Sequence, residues 1–194
     1  LEPGGGFLWG TKSQEAMLSL TALLNPYLQA QMRNFDEFYA GNAAVADDRL
    51  YTDCALVAPN VPVVREDACS SSSSWLEEPF LATIVSILAP IRNQTNSSSS
   101  RTDNREQRCD AALERRIQRA LDLLEHWDCT HVELGSYGCG VCGNDPKQVA
   151  RLFRKHLRRG GYKFQHVVFS ILARYPREAQ NLQIFEDVFG MGSL

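Results

Sequence analysis

Residues 135–146 read Gly-Ser-Tyr-Gly-Cys-Gly-Val-Cys-Gly-Asn-Asp-Pro, and they hold the clearest chemistry in the chain. A stretch this poor in side chains can turn several backbone N–H groups toward one anion. A helix N-terminus directly behind it would add the positive end of its dipole. The group held best by such a loop is a phosphate or diphosphate. Two sharper phosphate motifs do not fit. The Walker A pattern needs Gly-Lys-Ser/Thr after the loop, which is absent. Gly138, Gly140 and Gly143 match GxGxxG literally. However, Arg154–Gly161, where an acidic strand end should fall about 20 residues on, is a basic helix end and turn. A plain strand-to-helix turn needing positive φ stays open as the other reading of these glycines.

Cys139 and Cys142 form a CxxC pair inside the same loop, where small side chains are needed in any case. A four-ligand zinc site would draw two more ligands from Cys54, Cys69, Cys109, Cys129 or the histidines, and there is no second CxxC. Neither a metal nor a cofactor nor thiol redox chemistry is expected. His126, His131, His156 and His166 form no constellation. Asn93 and Asn96 open glycosylation-type triplets that read as incidental. The net charge of −3 makes no electrostatic case for nucleic acid or an anionic membrane. The longest apolar run, Phe80–Pro90, holds Thr83 and Ser86 and is too short to span a bilayer. No signal peptide stands at Leu1, so an intracellular protein, cytoplasmic or nuclear, is expected. The chain opens on Leu-Glu-Pro-Gly-Gly-Gly as the middle of a domain would, and an upstream segment is expected.

The elements that must position the loop follow from periodicity. With 194 residues, 44% hydrophobic and 22% charged, the chain suits a single domain spanning 1–194. Thr130–Leu134 reads as a short buried strand ahead of the loop. Asp145 is a good N-cap and Pro146 suits the first helical position. Lys147–Arg159 continues that helix, with Val149, Leu152, Phe153 and Leu157 near helical spacing. Upstream, Ser13 is expected to cap a helix running to about Met32 that breaks or restarts at Pro26. Phe35–Asp48 reads as loop and short helix, and Leu50–Val64, with Pro59 and Pro62, as strand pieces or an extended binding segment. Phe80–Ala89 is expected to be a core strand. Residues 106–127 form an amphipathic helix with Arg115, Arg116 and Arg119 on its solvated side. Gln165–Leu172 is another buried strand, and Arg177–Phe189 a closing helix. The Ser-rich stretches 70–74 and 93–104 read as mobile insertions. Alternating strands and helices predict the α/β class, whose ligands sit beyond strand C-termini.

Two motifs together carry a family resemblance. Pro3-Gly4-Gly5-Gly6 is followed, after Phe7–Ser13, by Gln14-Glu15-Ala16. Gly135–Pro146 follows the pattern Gly-Ala-Trp/Tyr-Gly-Cys-Gly-Val-Phe-Gly-Asn-Asp-Pro. With Leu50-Tyr51-Thr52-Asp53, Val61–Arg65, Val167-Val168-Phe169, Asn181-Leu182 and Ile184-Phe185, the chain resembles the microbial-type poly(ADP-ribose) glycohydrolases over nearly all its length outside the Ser-rich stretches. The resemblance implies a macrodomain-like three-layer α/β/α fold with a mixed, largely parallel central sheet. It implies ADP-ribose or an ADP-ribosylated protein as partner. The diphosphate and distal ribose would be wrapped by Ser136, Tyr137, Gly138, Cys139, Gly140, Val141, Cys142, Gly143 and Asn144, with Gly4, Gly5, Gly6 and Gln14 near that ribose. A monomer with no nucleic acid or membrane partner is expected.

The departures from the family pattern fall around its reaction centre. The family's Gln-Glu-Glu uses its second Glu as general acid/base, because the leaving oxygen needs a proton and the incoming water must lose one. Here that position is Ala16. Glu15 remains, but neighbouring helical residues point about 100° apart. The family's loop phenylalanine is Cys142, and its polar stretch after Gln-Glu-Glu is Ser19-Leu20-Thr21-Ala22. The resemblance thus implies an ADP-ribose-binding relative with catalysis lost or weakened. The alternative is an active ADP-ribosyl glycohydrolase in which Glu15 does the acid/base work.

Overall fold

A computed structural model describes residues 5–11, 13–46, 49–66, 74–92 and 102–190. Its elements are α1 (Gln14–Thr21), α2 (Leu24–Ala30), α3 (Met32–Ala44), β1 (Ala55–Arg65), β2 (Trp75–Ile87), α4 (Thr102–His126), β3 (His131–Leu134), α5 (Pro146–Arg158), β4 (His166–Phe169) and α6 (Pro176–Gly190). The class is α/β, as expected, and both strand senses occur: β1 pairs with β2 antiparallel, and β3 with β4 parallel. Contacts divide the chain into two compact units, one of residues 1–47 and 54–87, the other of 48–53 and 88–194.

In the first unit, the helix expected from Ser13 stops at Thr21. Pro26 then falls in the first turn of α2, where its missing N–H is not needed. Where loop and short helix were expected over Phe35–Asp48, the helix is longer: α3 takes most of the segment. It is fixed by the burial of Phe38, Tyr39 and Asn42, whose Nδ2 donates back to Phe38 O at 2.8 Å. The strand pieces expected over 50–64 form one strand with a bulge. The register shifts between Ala58 and Val61, and Asn60 takes φ +55°. That extra residue moves the buried positions from Leu56 and Ala58 to Val61, so both halves of β1 keep an apolar face inward. It also accommodates Pro59, which cannot donate to a ladder.

Phe80–Ala89 is not the core strand expected. β2 begins at Trp75, and Phe80 and Leu81 are 56% and 63% exposed, with only Ile84 buried. The helices of this unit pack on β1, so the outer half of β2 has one strand neighbour and little cover.

In the second unit, β3, α5 and β4 make a strand–helix–strand crossover. Leu113, Ile117 and Leu121 of α4 join Val132, Leu134, Val149, Phe153 and Phe185 in one core. Phe169 packs among Phe153, Phe185 and Phe189 at ring distances of 5.3, 5.2 and 4.7 Å, edge-on to the first and tilted to the others. β4 is shorter and less buried than expected. It turns Val167 and Phe169 inward, while His166 and Val168 stay exposed on the other face.

Arg116, expected on the solvated side of α4, is 1% exposed. Its Nε donates to Asp53 Oδ1 at 2.9 Å, Nη1 to Leu88 O at 2.8 Å and Nη2 to Tyr51 O at 2.9 Å. A buried guanidinium is tolerable only when its donors are met this fully. Burial alone would raise the Asp53 carboxyl pKa. Hydrogen bonds and charge from Arg115 and Arg116 outweigh that and hold it below the usual carboxylate range.

Gly4, residues 70–73 and residues 93–101 lie outside the described residues. Thr102–Asn104, expected to end a mobile insertion, belong to α4. Among the described residues no helix is long and apolar enough to cross a membrane.

Candidate functional site

The first cluster of site residues is built on the start of α1. Ser13 caps the helix: its Oγ accepts from Ala16 N at 3.1 Å and donates to Gly5 O at 3.1 Å. Thr11 Oγ1 also donates to Gly5 O. These bonds fold the glycine turn against the helix N-terminus. Gly5 sits at φ +62°, and a Cβ there would lie 2.4 Å from Ser13 Oγ and 2.9 Å from Ala16 N, so only glycine fits. Gly6 is also left-handed, at φ +75°. Gln14 is exposed, Glu15 half-buried and Ala16 fully buried. Glu15 Oε1 accepts from Tyr39 Oη at 2.9 Å. Tyr39 was not foreseen, because nothing in α3's local pattern marks a tyrosine that meets a carboxylate on α1.

The second cluster is the loop between β3 and α5. It is folded by its own backbone: Cys139 N donates to Ser136 O at 3.0 Å, Gly143 N to Gly140 O at 3.1 Å and Asn144 N to Gly138 O at 3.0 Å. Asn144, which the resemblance sets among the residues around the diphosphate, is 2% exposed and sends Nδ2 to Pro90 O at 2.9 Å and Gly138 O at 3.2 Å. Its amide is therefore a brace of the loop. Asp145 caps α5, its side chain accepting from Lys147 N at 3.0 Å, with Pro146 in the first turn as predicted.

At the tip, the N–H groups of Gly140, Val141 and Cys142 meet no acceptor among the described residues. Val141 is 90% exposed, so the tip is open to solvent. Three successive donors without acceptors, on a loop whose Tyr137, Cys139, Gly143 and Asn144 N–H groups are bonded, can hold an anionic oxygen.

The remaining loop side chains support this backbone. Cys139 is 1% exposed, donates weakly to Tyr137 O at 3.6 Å, and has its thiol pushed up to about 12 by burial, with Asp145 adding to the shift. Burial also raises Cys142. Thiol chemistry needs the thiolate, so both act as small apolar groups near neutral pH. Tyr137 packs against the core. Burial drives its phenol pKa well above the ordinary value, and its hydroxyl lies near Arg116 and Asp53 without a hydrogen bond of ordinary geometry among the described residues. Among the described residues no three His, Cys, Asp or Glu side chains are grouped to hold a metal ion.

Gly138 is the position where the loop is least forgiving. At φ +71°, a Cβ would lie 2.5 Å from Asn144 Nδ2 and 2.7 Å from Ala89 Cβ. Gly138→Ala is expected to destabilise the protein by roughly 2–4 kcal/mol, from the left-handed backbone and forced repacking together. Gly140→Ala, where a Cβ meets nothing within 4 Å, should stay close to the wild type. Urea unfolding of the two variants checks this, and equal midpoints would refute it.

Against known proteins, the model of the microbial-type PARG catalytic domain matches residues 1–66. No curated protein sequence matches the chain. Among solved structures, the poly(ADP-ribose) glycohydrolase of Deinococcus radiodurans in complex with ADP-ribose is 30% identical with a TM-score of 0.80. That match covers 97% of this chain and 71% of that one. The Thermomonospora curvata poly(ADP-ribose) glycohydrolase is 33% identical, TM-score 0.79, with 97% and 64% covered. The same enzyme bound to the inhibitor ADP-HPD is 33% identical, TM-score 0.76, with 94% and 66% covered.

Proposed function

The chain belongs to the microbial-type poly(ADP-ribose) glycohydrolase family and has its macrodomain-like α/β fold, and we propose that it binds ADP-ribose while cutting the ribose linkage slowly or not at all. The observation that carries the binding half is the run of acceptor-free N–H groups at Gly140–Cys142. They are suited to the diphosphate, and relatives are described in complex with ADP-ribose and ADP-HPD. The catalytic half follows from position 16. Hydrolysis of an O-glycosidic bond needs a group that gives a proton to the leaving oxygen and takes one from water. The buried Ala16 methyl can do neither.

A second reading has one observation in its favour. Tyr39 Oη fixes Glu15 Oε1 at 2.9 Å, so a carboxyl group is held in place one residue away. In that case Glu15 is the acid/base and the protein is an active ADP-ribosyl glycohydrolase.

Titration calorimetry with ADP-ribose, run beside incubation with poly(ADP-ribose), tests the proposal. Binding should be measurable, and a hundredfold excess over Kd should stabilise the fold by about 2.7 kcal/mol. Free ADP-ribose should accumulate near the uncatalysed rate. No binding heat and no thermal shift would overturn the binding reading. Rapid release of ADP-ribose that Glu15→Gln abolishes would replace it with the second reading.

A further inference from the structure

A cation from far along the chain stands beside the glycine loop. Arg177 is the second residue of α6, and its place there is well fixed. Pro176 opens the helix, and Glu178 Oε2 accepts from Arg174 N at 3.0 Å and Tyr175 N at 3.2 Å, as in a capping box. The Arg177 guanidinium donates to Gly140 O at 3.4 Å. It therefore rests on the residue whose own N–H begins the acceptor-free run.

Several other cations of this unit are paired. Arg92 pairs with Asp110, Lys155 with Glu114 and Lys163 with Asp128. Arg177 has no carboxylate partner among the described residues, and it is exposed. The loop itself carries no positive side chain, and Asp145 at its end is negative. The opposed pulls of these two charges already register inside the loop: Asp145 raises the buried Cys139 thiol and Arg177 lowers it. A doubly negative diphosphate at the loop tip would feel the same two charges, repelled by one and attracted by the other.

We propose that Arg177 is a phosphate-binding residue of this site, its guanidinium pairing with an oxygen of the diphosphate whose other oxygens meet the N–H groups of Gly140, Val141 and Cys142. The assignment rests on the ADP-ribose reading above. It makes Arg177 a determinant of affinity for nucleoside diphosphate sugars and gives it no part in bond cleavage. Arginine suits the role because its planar fork can meet two oxygens at once while one N–H stays on Gly140.

The test compares wild type, Arg177→Gln and Arg177→Lys by titration calorimetry with ADP-ribose, at low and high salt, with adenosine as the phosphate-free probe. Arg177→Gln should weaken ADP-ribose binding roughly tenfold to a hundredfold and flatten its salt dependence. Arg177→Lys should fall between, keeping the charge but losing the fork. Adenosine binding should not change. Arg177 is exposed, so the melting temperatures of all three should agree, and Asp145→Asn, which keeps an N-cap, should tighten ADP-ribose binding. Wild-type affinity in Arg177→Gln would overturn this assignment and leave the ADP-ribose reading standing. Absence of ADP-ribose binding by the folded wild type would overturn both.

Discussion

Ala16→Glu is expected to release ADP-ribose from poly(ADP-ribose) about 10²–10⁴ times faster than the unmodified chain, the range a positioned general acid/base supplies. The resemblance to the family pattern puts the proposed catalytic carboxyl at position 16. In the structure, that position is 0% exposed, at the third residue of α1, with its N–H tied to Ser13 Oγ at 3.1 Å. A carboxyl group placed there leaves water, so it holds its proton to higher pH than a free glutamate, as a general acid must. The variant's rate should therefore fall as pH rises through that elevated pKa. The added side chain has little room, and a stability loss of about 1–3 kcal/mol is expected. Ala16→Gln supplies the control of equal size without a proton to give. A folded Ala16→Glu protein no faster than Ala16→Gln would refute the prediction and show that Cys142 and the Ser19–Ala22 stretch weaken the site on their own.

Arg116→Met should be the most damaging single substitution for stability in the second unit, at about 3–5 kcal/mol. Arg116 is 1% exposed and meets Asp53, Tyr51 O and Leu88 O together. Removing it takes the donor from two partly buried carbonyl oxygens, Tyr51 O and Leu88 O, each a penalty of up to about 1–3 kcal/mol. It also releases a backbone segment that is already strained, since Arg49 and Tyr51 hold φ of +54° and +58°. Arg115→Met is the contrast. Arg115 also reaches Asp53, at 2.8 Å, but is 58% exposed, so its loss should stay under about 1 kcal/mol. Thermal melts decide the matter at about 2–4 °C per kcal/mol for a chain of this length. Equal shifts in the two variants would mean that burial of Arg116 contributes nothing beyond the ion pair.

The elements with strong local signals are present near their expected limits. Asp145 and Pro146 start α5, Pro176 starts α6, and the apolar repeat of α4 runs through Leu113, Ile117 and Leu121. The misjudged elements are those whose state depends on what lies opposite. Phe80–Ala89 is as apolar as a core strand, yet its outer half is exposed because the helices of its unit pack on β1. Asn60 looks like a chain break between prolines, yet as a bulge residue at φ +55° it lets one strand keep its apolar face inward on both sides.

By itself the sequence determined the chemistry available at each position: glycines at 5 and 138 where the backbone turns left-handed, a capped helix behind the loop, and at 16 a methyl group that cannot carry a proton. Such properties belong to single residues and their immediate neighbours, so they can be read in order along the chain. Only the tertiary structure decided that the N–H groups of Gly140–Cys142 meet no acceptor among the described residues, that Arg116 is buried on Asp53, and that Arg177 stands at the loop. Arg116 and Asp53 are 63 residues apart, and Arg177 and Gly140 are 37 apart. A charge acquires its role from the partner it finds and from the water it loses. Both are fixed when distant segments pack together, and no local pattern records them.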